Sequence, residues 1–213
     1  MGQKVNPIGF RVGISRPWFS MWYAKNDYAA MLEEDVRVRE YILKKFNAAG
    51  VARVVIERAA TNMKVNIYSS RPGIIIGKKG AGAESLKDEL IRHCKIKSTE
   101  PNVNVFEISK PDLDATLVAQ GIAEQLKRRV SFRRAMKKAL ANATKAGAKG
   151  IRVKLSGRLG GADMSRIEQY KEGRIPAHQL EADLDYGVAT SKTQYGLIGV
   201  KVWIYKGDTR LDS

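Results

Sequence analysis

Between Ser131 and Ala143, six apolar residues fall at helical spacing: Phe132, Ala135, Met136, Ala139, Leu140 and Ala143. The intervals i, i+3, i+4, i+7, i+8 and i+11 fit one face of an α-helix and no strand. That stripe has to lie on a core. The cations between its members, Arg133, Arg134, Lys137 and Lys138, must then point away from it. Arg133 precedes Lys137 by four residues, and Arg134 precedes Lys138 by four, so the charges stack into a ridge. Like charges at this spacing repel, by roughly 0.2–0.5 kcal/mol per pair. A solvated helix face normally mixes signs, yet no acidic residue occurs between Glu124 and Asp163. The ridge therefore predicts an anionic partner that relieves the repulsion.

The rest of the chain carries the same sign. Its 213 residues hold 38 Lys and Arg against 22 Asp and Glu, a net charge of +16. Residues 127–174 alone hold fifteen basic and three acidic groups. Charge concentrated on a folded segment points to a polyanion, with nucleic acid ahead of anionic membrane. The single cysteine excludes an internal disulfide framework. Cys94, His93 and His178 cannot supply a four-ligand zinc site. The longest apolar run, Gly73–Gly77, is far too short to span a bilayer, and the N-terminus lacks a secretory apolar region. A soluble, cytoplasmic protein with no cofactor, metal or membrane partner is expected.

The pattern along the chain predicts an α+β protein of two domains. Residues 1–16 read as a basic arm without a core of its own. Residues 17–110 follow the order α-β-β-α-α-β: a helix over 36–48 carrying Val38, Tyr41, Ile42 and Phe46; strands at 53–57 and 63–68 with a turn at Ala60-Thr61-Asn62; an apolar turn at 72–76; a helix over 83–94; and a strand with Val103, Val105 and Ile108. Residues 111–213 predict a C-terminal α/β domain of two helices on a mostly antiparallel sheet. Asp112 is expected to cap the first helix and Ser131 the second. Strands are expected over 151–155, 164–170, 180–189 and 197–205.

The sharpest loop is Ile75-Ile76-Gly77-Lys78-Lys79-Gly80, running into a helix. Two glycines let backbone approach a sugar-phosphate chain, and the helix start offers free N–H groups. Between two helices of an α-β-β-α-α-β unit, this matches the GXXG clamp with which KH modules hold about four nucleotides. A P-loop is excluded, because three residues separate Gly73 from Gly77 and Lys79 follows Lys78. A dinucleotide fingerprint starting at Gly80 fails at Ser85. Gly157-Arg158-Leu159-Gly160-Gly161 reads equally as a turn or as a phosphate contact. Glu181, Asp183 and Asp185 share a strand face, where a Mg²⁺ site is the lesser reading and a face toward basic strands or solvent the greater. Cys94 falls on the apolar face of its helix and reads as core. Trp18, Trp22 and Tyr23 read as packing on the first helix rather than as base-stacking groups.

Several segments resemble the bacterial-type third protein of the small ribosomal subunit. They are Gly2-Gln3-Lys4-Val5-Asn6-Pro7, residues 71–80, Arg128-Arg129-Val130, residues 132–137, residues 147–150, residues 156–161 and residues 195–204. The matches lie in both halves of the chain. The resemblance implies an N-terminal type II KH domain, binding to the 3′ (head) domain of the small-subunit rRNA, and the tenth and fourteenth small-subunit proteins as neighbours. It also implies a place at the mRNA entry channel beside the fourth and fifth proteins. Carried over residue by residue, Arg133, Arg134 and Lys137 would line that channel and help unwind structured mRNA. Gly77, Lys78, Lys79 and Gly80 would form the KH loop. Further rRNA contacts are expected at Lys4, Arg11, Lys127, Arg128, Arg129, Lys138, Arg152, Lys154 and Arg158. The alternatives are a free-standing KH regulator of single-stranded RNA and a nuclease built on Glu181, Asp183 and Asp185.

Overall fold

The computed structural model describes residues 4–59, 62–77, 80–94 and 101–209. Ala60 and Thr61 of the expected turn, Lys78 and Lys79 of the glycine loop, and the side chains of His93 and Cys94 lie outside the described residues. In chain order the elements are α1 (Pro7–Arg11), β1 (Ser20–Met21), α2 (Tyr28–Lys45), β2 (Val51–Ala59), β3 (Asn62–Ser69), α3 (Pro72–Ile76), α4 (Ala81–Cys94), β4 (Pro101–Glu107), α5 (Ala115–Lys127), α6 (Phe132–Lys145), β5 (Gly150–Gly157), β6 (Arg166–Gly173), β7 (Ala182–Thr193) and β8 (Gly196–Asp208). They form two compact units, Trp18–Ser109 and Met1–Pro17 with Lys110–Ser213.

In the first unit α2 to β4 follow the expected α-β-β-α-α-β order. The sheet runs β1-β2-β3-β4, with β2 antiparallel to β3 and the outer pairs parallel. Met63, Val65 and Ile67 alternate along β3 and are all fully buried, as period two requires. They meet Val38 and Ile42 of α2 and Leu86 and Leu90 of α4, each pair one helical turn apart. Helix α2 starts at Tyr28, a full eight residues before the expected start at 36. In its first two turns the only buried residues are Glu34 and Asp35, so these turns are held by charge. Glu34 and the fully buried Asp35 receive Arg58 of β2 at 2.9 and 2.6 Å. The second oxygen of Asp35 accepts from Ser20 Oγ at 2.7 Å and Trp22 Nε1 at 2.8 Å. Trp22 thus does pack toward this helix, and its indole N–H is used there.

The second unit is an antiparallel sheet of order β6-β5-β8-β7 with α5 and α6 on one face. Ala135, Met136, Leu140 and Ala143 of α6 lie on Ile151, Val153 and Leu155 of β5 and on Val200, Val202 and Ile204 of β8. Two capping expectations need correction. Asp112 sits in a 3₁₀ turn, and Asp114 caps α5 by accepting from Thr116 N at 3.0 Å and Leu117 N at 3.1 Å. Only a side chain immediately before the first helical residue reaches those amides. Ser131 holds the N-cap position of α6, but its side chain makes no capping bond.

Burial, and then the charge of Asp185, push the Asp114 carboxyl above the ordinary carboxylate range. A folded pKa above the unfolded one means that ionisation opposes folding, so this contribution to stability is lost as pH rises through that range. Asp114→Asn keeps the cap and removes the charge. Its expected result is a higher melting temperature than the parent protein at pH 7. The gap should close as pH falls below the unfolded carboxylate pKa of about 4. A gap that is unchanged at low pH would contradict this assignment.

The N-terminal arm also differs from expectation. It carries α1, capped by Asn6, and belongs to the second unit. Arg11 is fully buried and donates to the carbonyls of Pro7 (3.0 Å), Pro176 (3.2 Å) and Gln179 (2.5 Å). Burial, and after it the charge of Arg16, lower its pKa. Arg16 lies 2.6 Å from Asp183 and 3.2 Å from Asp185. Burial alone would lower the Arg16 pKa, but the bond to Asp183 and the charges of both carboxylates outweigh it and raise the value. Asp185 also accepts from Ala115 N at 2.9 Å, tying the start of α5 to β7. Asp183 and Asp185 are therefore the anchor for the arm. Glu181 is exposed and precedes β7, apart from that pair.

Candidate nucleic-acid interface

The apolar stripe of α6 fixes where its cations go. With Ala135, Met136, Leu140 and Ala143 against the sheet, Arg133, Arg134, Lys137 and Lys138 are all exposed on the outer face. Among the described residues none of the four has an acidic partner within salt-bridge distance. Phe132 packs at the edge of the core, with the Arg133 guanidinium 5.6 Å from its ring centre.

Lys127, Arg128 and Arg129 lie at the C-terminal end of α5, just before this helix, and all three are exposed. Arg158 is half-buried in the loop after β5. Its Nε donates to Ala162 O at 2.8 Å and its Nη1 to Tyr195 O at 3.4 Å, so it ties that loop to the β7–β8 turn. Lys127, Arg129 and Arg158 meet around a cleft of about 520 Å³ at the start of α6. Lys192 and Tyr195 also line it, and neither is among the site residues expected from the sequence. Their signal was faint: a lysine near the end of one long strand and a tyrosine in the short Gln194-Tyr195 turn that leads to the next.

Arg152 and Lys154 are separated from this group. They alternate with the buried Ile151, Val153 and Leu155, so they occupy the sheet face opposite the helices. There Arg152 lies 5.1 Å from the Trp203 ring centre, and Lys154 pairs in register with Lys201. The expected contacts thus fall on two faces of one domain. Lys4 is exposed ahead of α1. Arg11 has to be withdrawn as a surface contact, because its side chain is fully buried and its Nη groups donate to carbonyls of the protein itself.

In the first unit the glycine loop connects α3 and α4. Gly77 and Gly80 have φ of 69° and 85°, the left-handed region that glycine adopts without strain. The close approach is made by a third glycine, Gly82, which in the sequence belongs only to the failed dinucleotide motif. A Cβ on Gly82 would lie 2.6 Å from Ile75 O and 2.8 Å from Ile76 O. Gly82 thereby lets the first turn of α4 press against the end of α3 and fixes the loop between them. Gly82→Ala is expected to cost roughly 1–3 kcal/mol through backbone displacement and to weaken single-stranded RNA binding by this unit. Unchanged stability and binding, measured by denaturant titration and fluorescence anisotropy, would show that the helices separate freely.

Residues 37–113 match the KH domain family, and residues 122–204 match the family described as ribosomal protein S3, C-terminal domain. Full-length relatives agree. The chain is 56% identical over 208 residues to the small ribosomal subunit protein uS3 of Pelobacter propionicus, covering 98% of both chains. It is 57% identical to that of Geobacter metallireducens, covering 98% of this chain and 97% of the relative. Against the Gluconobacter oxydans protein of the same name the identity is 56%, over 98% and 91%. The chain belongs to the uS3 family of small ribosomal subunit proteins. Membership in uS3 accounts for the pairing of a KH unit with a basic C-terminal domain, and it makes this a ribosomal protein family rather than an enzyme family. No helix among the described residues is long and apolar enough to cross a membrane.

Proposed function

We propose that this protein is a structural constituent of the head of the small ribosomal subunit, in the cytoplasm, and that α6 lines the mRNA entry channel. The observation that carries this reading is the exposed, acid-free ridge of Arg133, Arg134, Lys137 and Lys138 on a helix whose other face is locked into a core. Such a ridge binds phosphates of either separated strand without reading sequence. It would hold strands apart while translocation does the work of opening them. The 3′ domain of the rRNA would be held by the KH loop and by the cations flanking α6 and on the outer sheet face. The tenth and fourteenth small-subunit proteins would lie beside it in the head, and the fourth and fifth at the channel.

Small subunits programmed with an mRNA carrying a photoreactive uridine ahead of the decoding site test the channel assignment. Crosslinks to peptides of α6 are the expected result. Crosslinks confined to other proteins would overturn it.

A further inference from the structure

We infer that the cleft at the start of α6 is a binding site for one unstacked ribonucleotide of a single strand. The inference rests on the RNA-binding reading above and adds a site to it. Four cations, Lys127, Arg129, Arg158 and Lys192, and the rings of Phe132 and Tyr195 line the cleft. Among the described residues no acidic one lines it, and Arg158 alone of the four has an acidic neighbour, the exposed Asp163 at 3.6 Å. Its volume of about 520 Å³ lies within the ordinary range for small-ligand sites, about 300–1,000 Å³. Tyr195 remains 53% exposed, and Gly161 sets its position, since a Cβ there would lie 3.0 Å from a ring carbon. An exposed ring in a cationic concavity is the arrangement on which an unstacked base stacks. The phosphate has its own partners. Ser131 makes no capping bond, so the first amides of the 14-residue α6 are left to an outside acceptor beside Lys127 and Arg129.

The backbone supplies an independent sign of function. Helices α5 and α6 both end with the same pair of bonds: Val130 N to Gln125 O with Arg129 N to Leu126 O, and Ala148 N to Ala143 O with Gly147 N to Thr144 O. This ending needs a left-handed residue, for which glycine is the unstrained choice. Helix α6 uses Gly147, at φ 101°. Helix α5 uses Arg129, at φ 63°, and it is the only non-glycine residue with positive φ among the described residues. An arginine where glycine is easier accepts backbone strain and places a cation at the rim of this cleft, as strained residues do at ligand sites. Phe132 in the cleft is followed directly by Arg133 and Arg134, so a strand lying along the ridge reaches the site at its end.

The test uses the full chain with a 12-nucleotide single-stranded RNA and a 12-base-pair RNA duplex, at one salt concentration. Tyr195→Leu should weaken single-strand binding at least about fivefold, the loss of one stacked base, and change duplex binding less than twofold. Tyr195→Phe should bind as the parent does. Arg129→Gly should also lose single-strand affinity, with an equal or higher melting temperature that excludes misfolding. Equal losses on single strand and duplex, or parental binding by Tyr195→Leu, would overturn the site while the RNA-binding reading stands. Failure of the parent protein to bind either RNA would overturn both. In programmed small subunits, a photoreactive Tyr195→p-benzoylphenylalanine variant distinguishes the source. A crosslink to mRNA or to rRNA supports the site and names the strand, and a crosslink to neither overturns it.

Discussion

Replacing Arg133, Arg134 and Lys137 together with alanine is expected to slow translation through a stable mRNA hairpin and leave unstructured messages nearly unaffected. The three side chains are exposed, and the core face of α6 is made by other residues. Alanine is the best helix former, and the change removes repulsion along the ridge, so the domain should fold at least as well. Loss of function would then come from lost phosphate contacts. Each contact to a single strand contributes about 0.7 to the salt dependence of binding, so the triple variant should bind with a slope shallower by about 2. Ribosome transit times on matched messages, with and without a hairpin, measure the consequence. Equal slowing on both would mean that the ridge serves assembly or general binding rather than strand separation.

Arg58→Met is the substitution with the largest expected cost in stability. Arg58 is 8% exposed and gives two donors to Asp35, which is fully buried, and one to Glu34. Methionine fills similar volume but leaves Asp35 with the hydroxyl of Ser20 and the indole of Trp22 as donors, and with Arg39, bonded to that hydroxyl, as a more distant cation. Removing one partner of a buried ion pair costs roughly 3–5 kcal/mol, and the low exposure leaves little room for solvent to screen what remains. Hydrogen exchange should therefore quicken across β2 and β3, while β5 and β8 keep their protection. A double variant with Asp35→Leu should recover part of the loss, because it removes the stranded charge. Uniform protection in Arg58→Met would show that Asp35 is satisfied without Arg58.

The two predictions differ in how far the sequence alone could lead to them. The ridge was legible, because a single helix makes it. Once Phe132, Ala135, Met136, Ala139, Leu140 and Ala143 define the buried side, the positions of Arg133, Arg134, Lys137 and Lys138 follow from 3.6 residues per turn. The alternation of Met63, Val65 and Ile67, and of Ile151, Val153 and Leu155, fixed strands and buried faces in the same way. The glycine loop was legible as a motif because its meaning depends on the neighbouring elements in the chain.

What the sequence hid depends on partners far away along it. Arg11 counted as a surface cation, because nothing local shows that carbonyls 165 to 168 residues later would enclose it. Asp183 and Asp185 read in sequence as a face toward basic strands or solvent, and nothing local shows that Arg16 of the arm is their partner. The first turns of α2 bury Glu34 and Asp35 rather than apolar groups, and no apolar periodicity records that. The cleft draws on α5, α6, the loop after β5 and the β7–β8 turn, four segments whose approach only packing decides. Periodicity and charge within one element thus yield the longer helices and strands, their buried faces and the sign of the partner, but not α1, β1 or the start of α2. The tertiary structure alone decided which cations are anchors and which remain open to a ligand. That depends on desolvation by groups distant in sequence, which no local pattern records.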